Sequence, residues 1–331
     1  MNAVVASANG ARLVDVAEPS PSVGECIVRV TAALLTSIDL PKHEPSRRVS
    51  GTSSDALAAH VVLGQSFVGT VETLPPDDGA ARSVRDSPRD WIGRRVVVHP
   101  IVRCGRCDRC LAGLSSHCEQ RAVLGVTRAG GLAQRVAVPL VNLVAIPDAL
   151  DDERAVFAVT VARALEAMRI VRVEGKAYIS VLGDDLVALV ATQVMTQLNV
   201  AVRIIARRAG TIATAEKLGV KHRLADEVGR RGDQHVVVDA VGDAESLGLA
   251  MQLARPKATI LLFATSGAIE LAPLVESALR LQGCGHGPLS EAVALLASRG
   301  IEVVSLIERR ITLSAAADAC SEGRSGTLVR V

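Results

Sequence analysis

The pattern of apolar and polar positions changes rhythm once along the chain. Over the first 150 residues the apolar runs are short and broken by turn residues, as at Cys26 to Val30, Phe67 to Thr73 and Arg95 to Val98, which predicts a domain of short strands. From about residue 151 the pattern alternates between helical spacing and compact apolar runs. The segment 151–171 opens with carboxylates and continues with helical apolar spacing, so it predicts one helix. Strands are expected at 177–183, 200–206, 235–242 and 258–264, with helices at 185–198, 211–219 and 245–254 between them. Such alternation implies a parallel, doubly wound sheet, an α/β architecture that takes its ligands at the carboxyl ends of its strands. Beyond residue 285 one helical pattern (290–300) is followed by short strands near 301–307 and 326–331, and this β character assigns the tail to the first domain. The boundaries expected are therefore 1–150, 151–284 and a return over 285–331. The charged stretch 75–90, rich in Pro and Gly, reads as an exposed insertion.

Composition narrows the partners. At 331 residues the chain exceeds the usual size of one hydrophobic core, and its 49% apolar content is ample for two. Only 2% of residues are aromatic and the formal charge is +2, which leaves little to stack on bases and no broad basic field, so nucleic acid is excluded. No apolar run approaches the roughly 18 to 20 residues that span a bilayer. The N-terminal segment lacks a basic region followed by a sustained apolar core, and a cytoplasmic location is the expectation.

Candidate chemistry begins with Cys104, Cys107, Cys110 and Cys118, spaced C-x2-C-x2-C-x7-C. Thiolates favour zinc or an iron-sulfur cluster, and the seven-residue gap before the fourth cysteine departs from the ferredoxin spacing, which favours zinc. Four thiolates fill every position of a tetrahedral zinc, so this site would hold a loop rather than activate a substrate. His117 is an alternative fourth ligand. Cys26, Cys284 and Cys320 are scattered.

The cysteine lobe, the following segment GVTRAGGLAQRVAVP and the α/β half together resemble the medium-chain dehydrogenase/reductase superfamily, specifically its zinc-type alcohol and polyol dehydrogenases. VLGQSFVGTV, KLGV and VVVDAVG extend the resemblance nearly end to end. It implies a GroES-like catalytic domain, a Rossmann nucleotide-binding domain, a substrate cleft between them, homodimers or homotetramers, and hydride exchange between a small-molecule alcohol or carbonyl and a nicotinamide. A catalytic zinc is part of that family pattern, and here its ligands are replaced. The family cysteine falls on Thr36, with Ser37 beside it and Asp39 retained; the histidine and glutamate of its G-H-E fall on Gln65 and Ser66; a later ligand falls on Val159; and the proton-relay histidine falls on Pro41. Hydroxyl, amide and isopropyl groups do not make a zinc site, so the expectation is one structural zinc and no catalytic one. His43, Glu44 and His60 flank the altered positions and are the candidates for a relocated site.

In the phosphate loop expected after the first strand of the α/β half, Gly183-Asp184-Asp185-Leu186-Val187-Ala188 places a carboxylate at the second glycine of G-x-G-x-x-G/A. At about 4 Å and an effective dielectric near 20, its repulsion of a phosphate is on the order of 4 kcal/mol, roughly a thousandfold in affinity. Ala206-Arg207-Arg208, ending the second strand, opposes this, because arginine there suits a 2′-phosphate and favours NADP(H) over NAD. Val241 and Gly242 complete the candidate cofactor residues. Two readings stand open: a zinc-independent, NADP(H)-dependent carbonyl or enone reductase in which Thr36, Ser37 or Gln65 orients the substrate, and a catalytically silent scaffold or ligand sensor.

Overall fold

A computed structural model describes residues 1–7, 10–37, 61–74, 88–173, 175–264 and 270–331. The insertion expected at 75–90 lies outside the described residues except for a single 3-10 turn, Pro88–Trp91. Contacts divide the chain into two compact units, residues 1–159 with 289–331, and residues 160–288.

The first unit opens on a hairpin of β1 (Asn2–Ser7) and β2 (Gly10–Asp15). It continues through β3 (Glu25–Leu35), β4 (Ser66–Thr73), β5 (Arg95–Val98), β6 (Ile101–Val102), the single-turn helix α1 (Asp108–Leu111), β7 (Ala122–Val123), β8 (Arg135–Pro139) and β9 (Leu143–Ala145). The expected single helix over 151–171 is two, α2 (Asp152–Ala155) and α3 (Ala158–Ile170). Asp151 caps the first by accepting from the Arg154 amide, and the chain turns at Val156 and Phe157, both buried. Helical apolar spacing persists across such a break and conceals it.

The second unit carries β10 (Tyr178–Leu182), α4 (Leu186–Thr196), β11 (Ala201–Ala206), α5 (Ala209–Lys217), β12 (His222–Leu224), β13 (Gln234–Asp239), α6 (Ala244–Leu253), β14 (Ala254–Leu262), α7 (Ala272–Glu276) and β15 (Arg280–Gly283). Its strands form one parallel six-stranded sheet in the order β12-β11-β10-β13-β14-β15, the doubly wound arrangement that the alternation predicts. The central strands are nearly continuous apolar runs because both faces are covered. Strand order reverses between β10 and β13, and the carboxyl ends of β10, β11 and β13 therefore frame the crevice in which such sheets bind ligands.

The chain then returns to the first unit as α8 (Leu289–Ala297), β16 (Arg309–Thr312), α9 (Ala316–Ser321) and β17 (Thr327–Arg330). The expected strand at 301–307 is instead a loop with a 3-10 turn at Val304–Leu306; its apolar residues are spent on burying that turn, and the strand itself follows at β16. β17 pairs with β3 and completes a seven-stranded sheet, β16-β17-β3-β4-β5-β9, with β8 also on β3.

In this unit one corner is packed backbone against backbone. Gly130, Gly131 and Leu132 donate their amides to the carbonyls of Val62, Gly64 and Leu63, which lays the segment around residue 130 directly on the entry to β4. A Cβ on Gly131 would stand 2.2 Å from the ring of buried Phe67, and one on Gly130 would stand 2.3 Å from the Gly64 carbonyl oxygen. Only glycine permits this approach. Gly131→Ala is expected to lower the stability of the chain by about 1 to 3 kcal/mol, the usual cost of overpacking a rigid site, read as a shift in the midpoint of chemical denaturation.

Candidate functional site

Three groups of sequence-derived residues can be located. The first is the cysteine quartet. Cys104 follows β6, Cys107 stands at the start of α1, Cys110 lies within it, and Cys118 ends the 3-10 turn Ser115–His117. Short turns bring the four thiols together: all four sulfurs lie within 4.8 Å of one another. The edges are 3.5 Å for Cys118 to Cys104, 3.9 Å for Cys107 to Cys118 and 4.0 Å for Cys104 to Cys110. A tetrahedral zinc with bonds of about 2.3 Å requires sulfur–sulfur edges of about 3.8 Å, so the donor set fits that ion. Backbone amides prepare the thiolates. The N–H groups of Arg106 and Cys107 lower the pKa of Cys104, and those of Glu119 and Cys110 bring Cys107 down to about 6, while loss of solvent pushes Cys110 up to about 12. Zinc would supply the positive charge that keeps all four ionised and would close the lobe, with no coordination position left for a substrate. His117 is not part of the cluster. The remaining cysteines are buried, and burial pushes Cys26 up to about 12 and Cys284 to about 11, which keeps both as thiols.

The second group sits at one end of the seven-stranded sheet. Thr36 follows β3 directly and Gln65 precedes β4, and because Leu34 pairs with Ser66 the two positions share one corner of the antiparallel pair. Both are almost wholly buried, with exposures of 3% and 4%, and Ser37 beside them is half-buried. Buried polar side chains in such positions must be hydrogen-bonded, and a hydroxyl and an amide can present a donor to a ligand oxygen. Val159, in the first turn of α3, is half-buried. Asp39, Pro41, His43, Glu44 and His60 lie outside the described residues.

The third group lies at the carboxyl edge of the parallel sheet and borders a cavity of about 590 Å3 lined by Gly183, Asp184, Arg207, Arg230, Val241 and Glu245, among others. Gly183 is required where it stands, since a Cβ there would come within 2.6 Å of the Ala188 methyl. Asp185 is the cap of α4: its carboxylate accepts from the amides of Val187 (3.0 Å) and Ala188 (3.2 Å). Those are the amides that a helix of this kind offers to a phosphate. Asp184 is turned the other way, accepting from the amides of both Arg207 and Arg208 at 2.8 Å and so tying β10 to the end of β11. Leu186 is buried in the first turn of α4, and Ala206 is buried at the end of β11.

Arg207, which the sequence offers to a 2′-phosphate, is held by the chain itself. Its guanidinium forms a fork with Asp243, at 2.9 and 3.1 Å, and reaches Glu245 at 3.2 Å. The pairing raises the arginine pKa and lowers that of Asp243. Arg208 donates to the Asp184 carbonyl oxygen. Val241 and Gly242 are in place as loop residues, their amides donated to Asp239 at 2.9 Å each, and Ser246 Oγ donates to the same carboxylate at 2.9 Å. Burial pushes the Asp239 pKa up against these bonds.

Asp239, Asp243, Glu245 and Arg163 were not legible as site residues. Arg163 projects from α3 to the ends of β14 and β15, where its guanidinium lies 5.0 Å over the Phe263 ring and donates to the Cys284 carbonyl at 3.4 Å, while burial lowers its pKa to about 10. A lone arginine inside the apolar run AVTVARALEAM is the signal that could have found it.

Comparison with known proteins agrees with this geometry. Residues 22–148 match the alcohol dehydrogenase GroES-like domain. Starvation-sensing protein RspB of Escherichia coli strain K12 is 33% identical over 138 residues, a match spanning 42% of this chain and 36% of that protein. Among solved structures, an rspB alcohol dehydrogenase of E. coli CFT073 in complex with NADH superposes with a TM-score of 0.82 at 22% identity, covering 100% of this chain and 99% of the other. A Sinorhizobium meliloti chain described as a zinc-binding dehydrogenase and bound to NADP gives 0.80 at 24% identity, covering 100% and 98%. Residues 22–148 are thus an alcohol dehydrogenase GroES-like domain, carried on a chain with the fold of the medium-chain, zinc-type alcohol dehydrogenases.

Proposed function

We propose that this chain is a zinc-type alcohol dehydrogenase-like protein without a catalytic zinc, whose nucleotide edge is closed by its own carboxylates and which binds a small molecule rather than oxidising or reducing it. The observation that carries this reading is the capping of α4 by Asp185. A pyrophosphate needs the amides of that first turn, and here they already have a negatively charged partner that costs nothing to bring in. As they stand, the residues do not fit a dinucleotide. Thr36, Ser37 and Gln65 supply hydrogen-bonding groups for an oxygen of the small molecule. The cysteine quartet keeps the lobe in place and contributes one structural zinc.

The competing reading, an NADP(H)-dependent reductase of activated carbonyls, draws its support from Arg207 and Arg208. It requires Arg207 to leave, or to share, Asp243 and Glu245. Titration with NADPH separates the two. Saturable binding below about 100 μM, followed by reduction of an enone or aldehyde, would overturn the silent reading. Asp185→Gly is expected to strengthen NADPH binding at least tenfold, a change on the order of 1.4 kcal/mol, while loss of the cap to glycine costs the helix only a few tenths of a kcal/mol. An unchanged affinity would show that the cap is not what excludes the cofactor.

Metal content tests the other half of the proposal. Purified protein is expected to hold one zinc per chain by elemental analysis, resistant to brief chelation and released by thiol modification. Cys107→Ser is expected to bring the content close to zero and to lower the melting temperature by several degrees, because structural zinc contributes directly to folding. Two zinc ions per chain would mean that a catalytic site persists.

A further inference from the structure

The second unit has another concavity, at the amino ends of its strands, about 810 Å3 in volume and separate in lining from the cavity at the carboxyl edge. The segment after α3 contributes Arg172, β14 contributes Arg255 and Lys257, and β15 contributes Arg280; His235 of β13 lies among them, and among the described residues no carboxylate is in the lining. Two of these cations are presented by an irregularity in the backbone. Opposite β13 the pairing jumps from Gln234 with Ala254 to Val236 with Thr259, so β14 bulges over Arg255–Lys257, and Lys257 takes a left-handed conformation at φ 63°. A bulge of this kind re-aims side chains that a regular strand would send to alternate faces.

Several arginines elsewhere in the chain are neutralised by carboxylates. Arg95 is paired with Asp152, Arg128 with Glu25, Arg135 with Glu18 and Glu72, Arg207 with Asp243 and Glu245, and Arg310 and Arg330 with Glu153. Among the described residues none of the four cations in this concavity has an ion-pair partner. Four like charges facing one hollow raise one another's energy, and a multivalent anion relieves that repulsion while gaining charge-assisted hydrogen bonds. The neighbouring imidazole reports the same field: burial first, and then Arg255, lower the His235 pKa, against a smaller opposing effect from Asp233.

We propose that this pocket binds a small oligophosphate, with Arg172, Arg255, Lys257 and Arg280 as its ligands. A concave wall of side chains from three strands and a loop suits a compact anion better than a flat membrane or a nucleic-acid backbone, and the low aromatic content offers bases little to stack on.

Isothermal titration of the full chain with tripolyphosphate, in the absence of divalent metal, tests this assignment. Saturable binding is expected, with orthophosphate at least tenfold weaker and a dissociation constant that rises steeply with sodium chloride. The triple variant R255Q/K257Q/R280Q is expected to bind on the order of tenfold more weakly or worse, with an unchanged melting temperature because all three side chains are exposed. If the triple variant melts below the parent, Arg280→Gln alone decides, and a severalfold weaker affinity is expected there. No saturable heat up to 1 mM tripolyphosphate, or an unchanged dissociation constant in the deciding variant, overturns the proposal. Sedimentation of the protein with phosphatidylserine vesicles in saturating tripolyphosphate overturns it in favour of a membrane surface.

Discussion

A helix must give the free amides of its first turn to something, and what α4 gives them to decides what the second unit can do. These amides sit at the reversal point of a parallel sheet, where the geometry of strands and helices collects a partial positive charge that is ordinarily left for an anionic ligand. In this chain Asp185 answers that need from within. The rest of the edge follows the same rule. Asp184 takes the amides of Arg207 and Arg208, Asp239 takes those of Val241 and Gly242, and Asp243 with Glu245 takes the guanidinium of Arg207. Each of these bonds stabilises the unliganded edge, and each would have to be given up or shared by an incoming phosphate.

The first unit rests on a different constraint, the close approach of backbones. The GroES-like domain packs the segment around Gly130 onto the start of β4 at distances that exclude a Cβ, and this fixes the corner that carries Gln65 and, through the β3–β4 register, Thr36. The corner holds its shape because of glycine contacts and strand pairing, neither of which depends on whether position 36 is a thiol or a hydroxyl. The cysteine lobe is similarly independent, since its four sulfurs and the amides that point at them belong to one short stretch of chain.

How much could be read from the sequence follows from how local each determinant is. The quartet was legible because zinc geometry is written in spacings of two and seven residues. The parallel sheet was legible because buried strands and covering helices leave distinct periods. Two elements misled for a physical reason: helical apolar spacing runs unbroken through Val156 and Phe157 although the helix does not, and the apolar residues at 301–307 bury a turn rather than pair as a strand. The partners of Arg207 could not be read at all. Asp243 is 36 residues away and is brought to it only by the parallel register of β10, β11 and β13, so an arginine that looks available in sequence is engaged in the fold.

That engagement gives the arginine count its meaning. A chain with 37 basic and 35 acidic residues is nearly balanced in charge, and several of its described arginines are held in ion pairs. Surface pairs contribute little to stability individually, so their distribution matters more for where charge is cancelled than for how firmly the fold is held. At the carboxyl edge of the parallel sheet Arg207 is cancelled by Asp243 and Glu245, and Arg208 turns to Asp184. At the amino edge the bulge of β14 and the ends of β13 and β15 gather cations, with no acid in the lining among the described residues. The two edges of one sheet therefore differ in electrostatic character, the carboxyl edge mixing acids with arginines and the amino edge gathering cations.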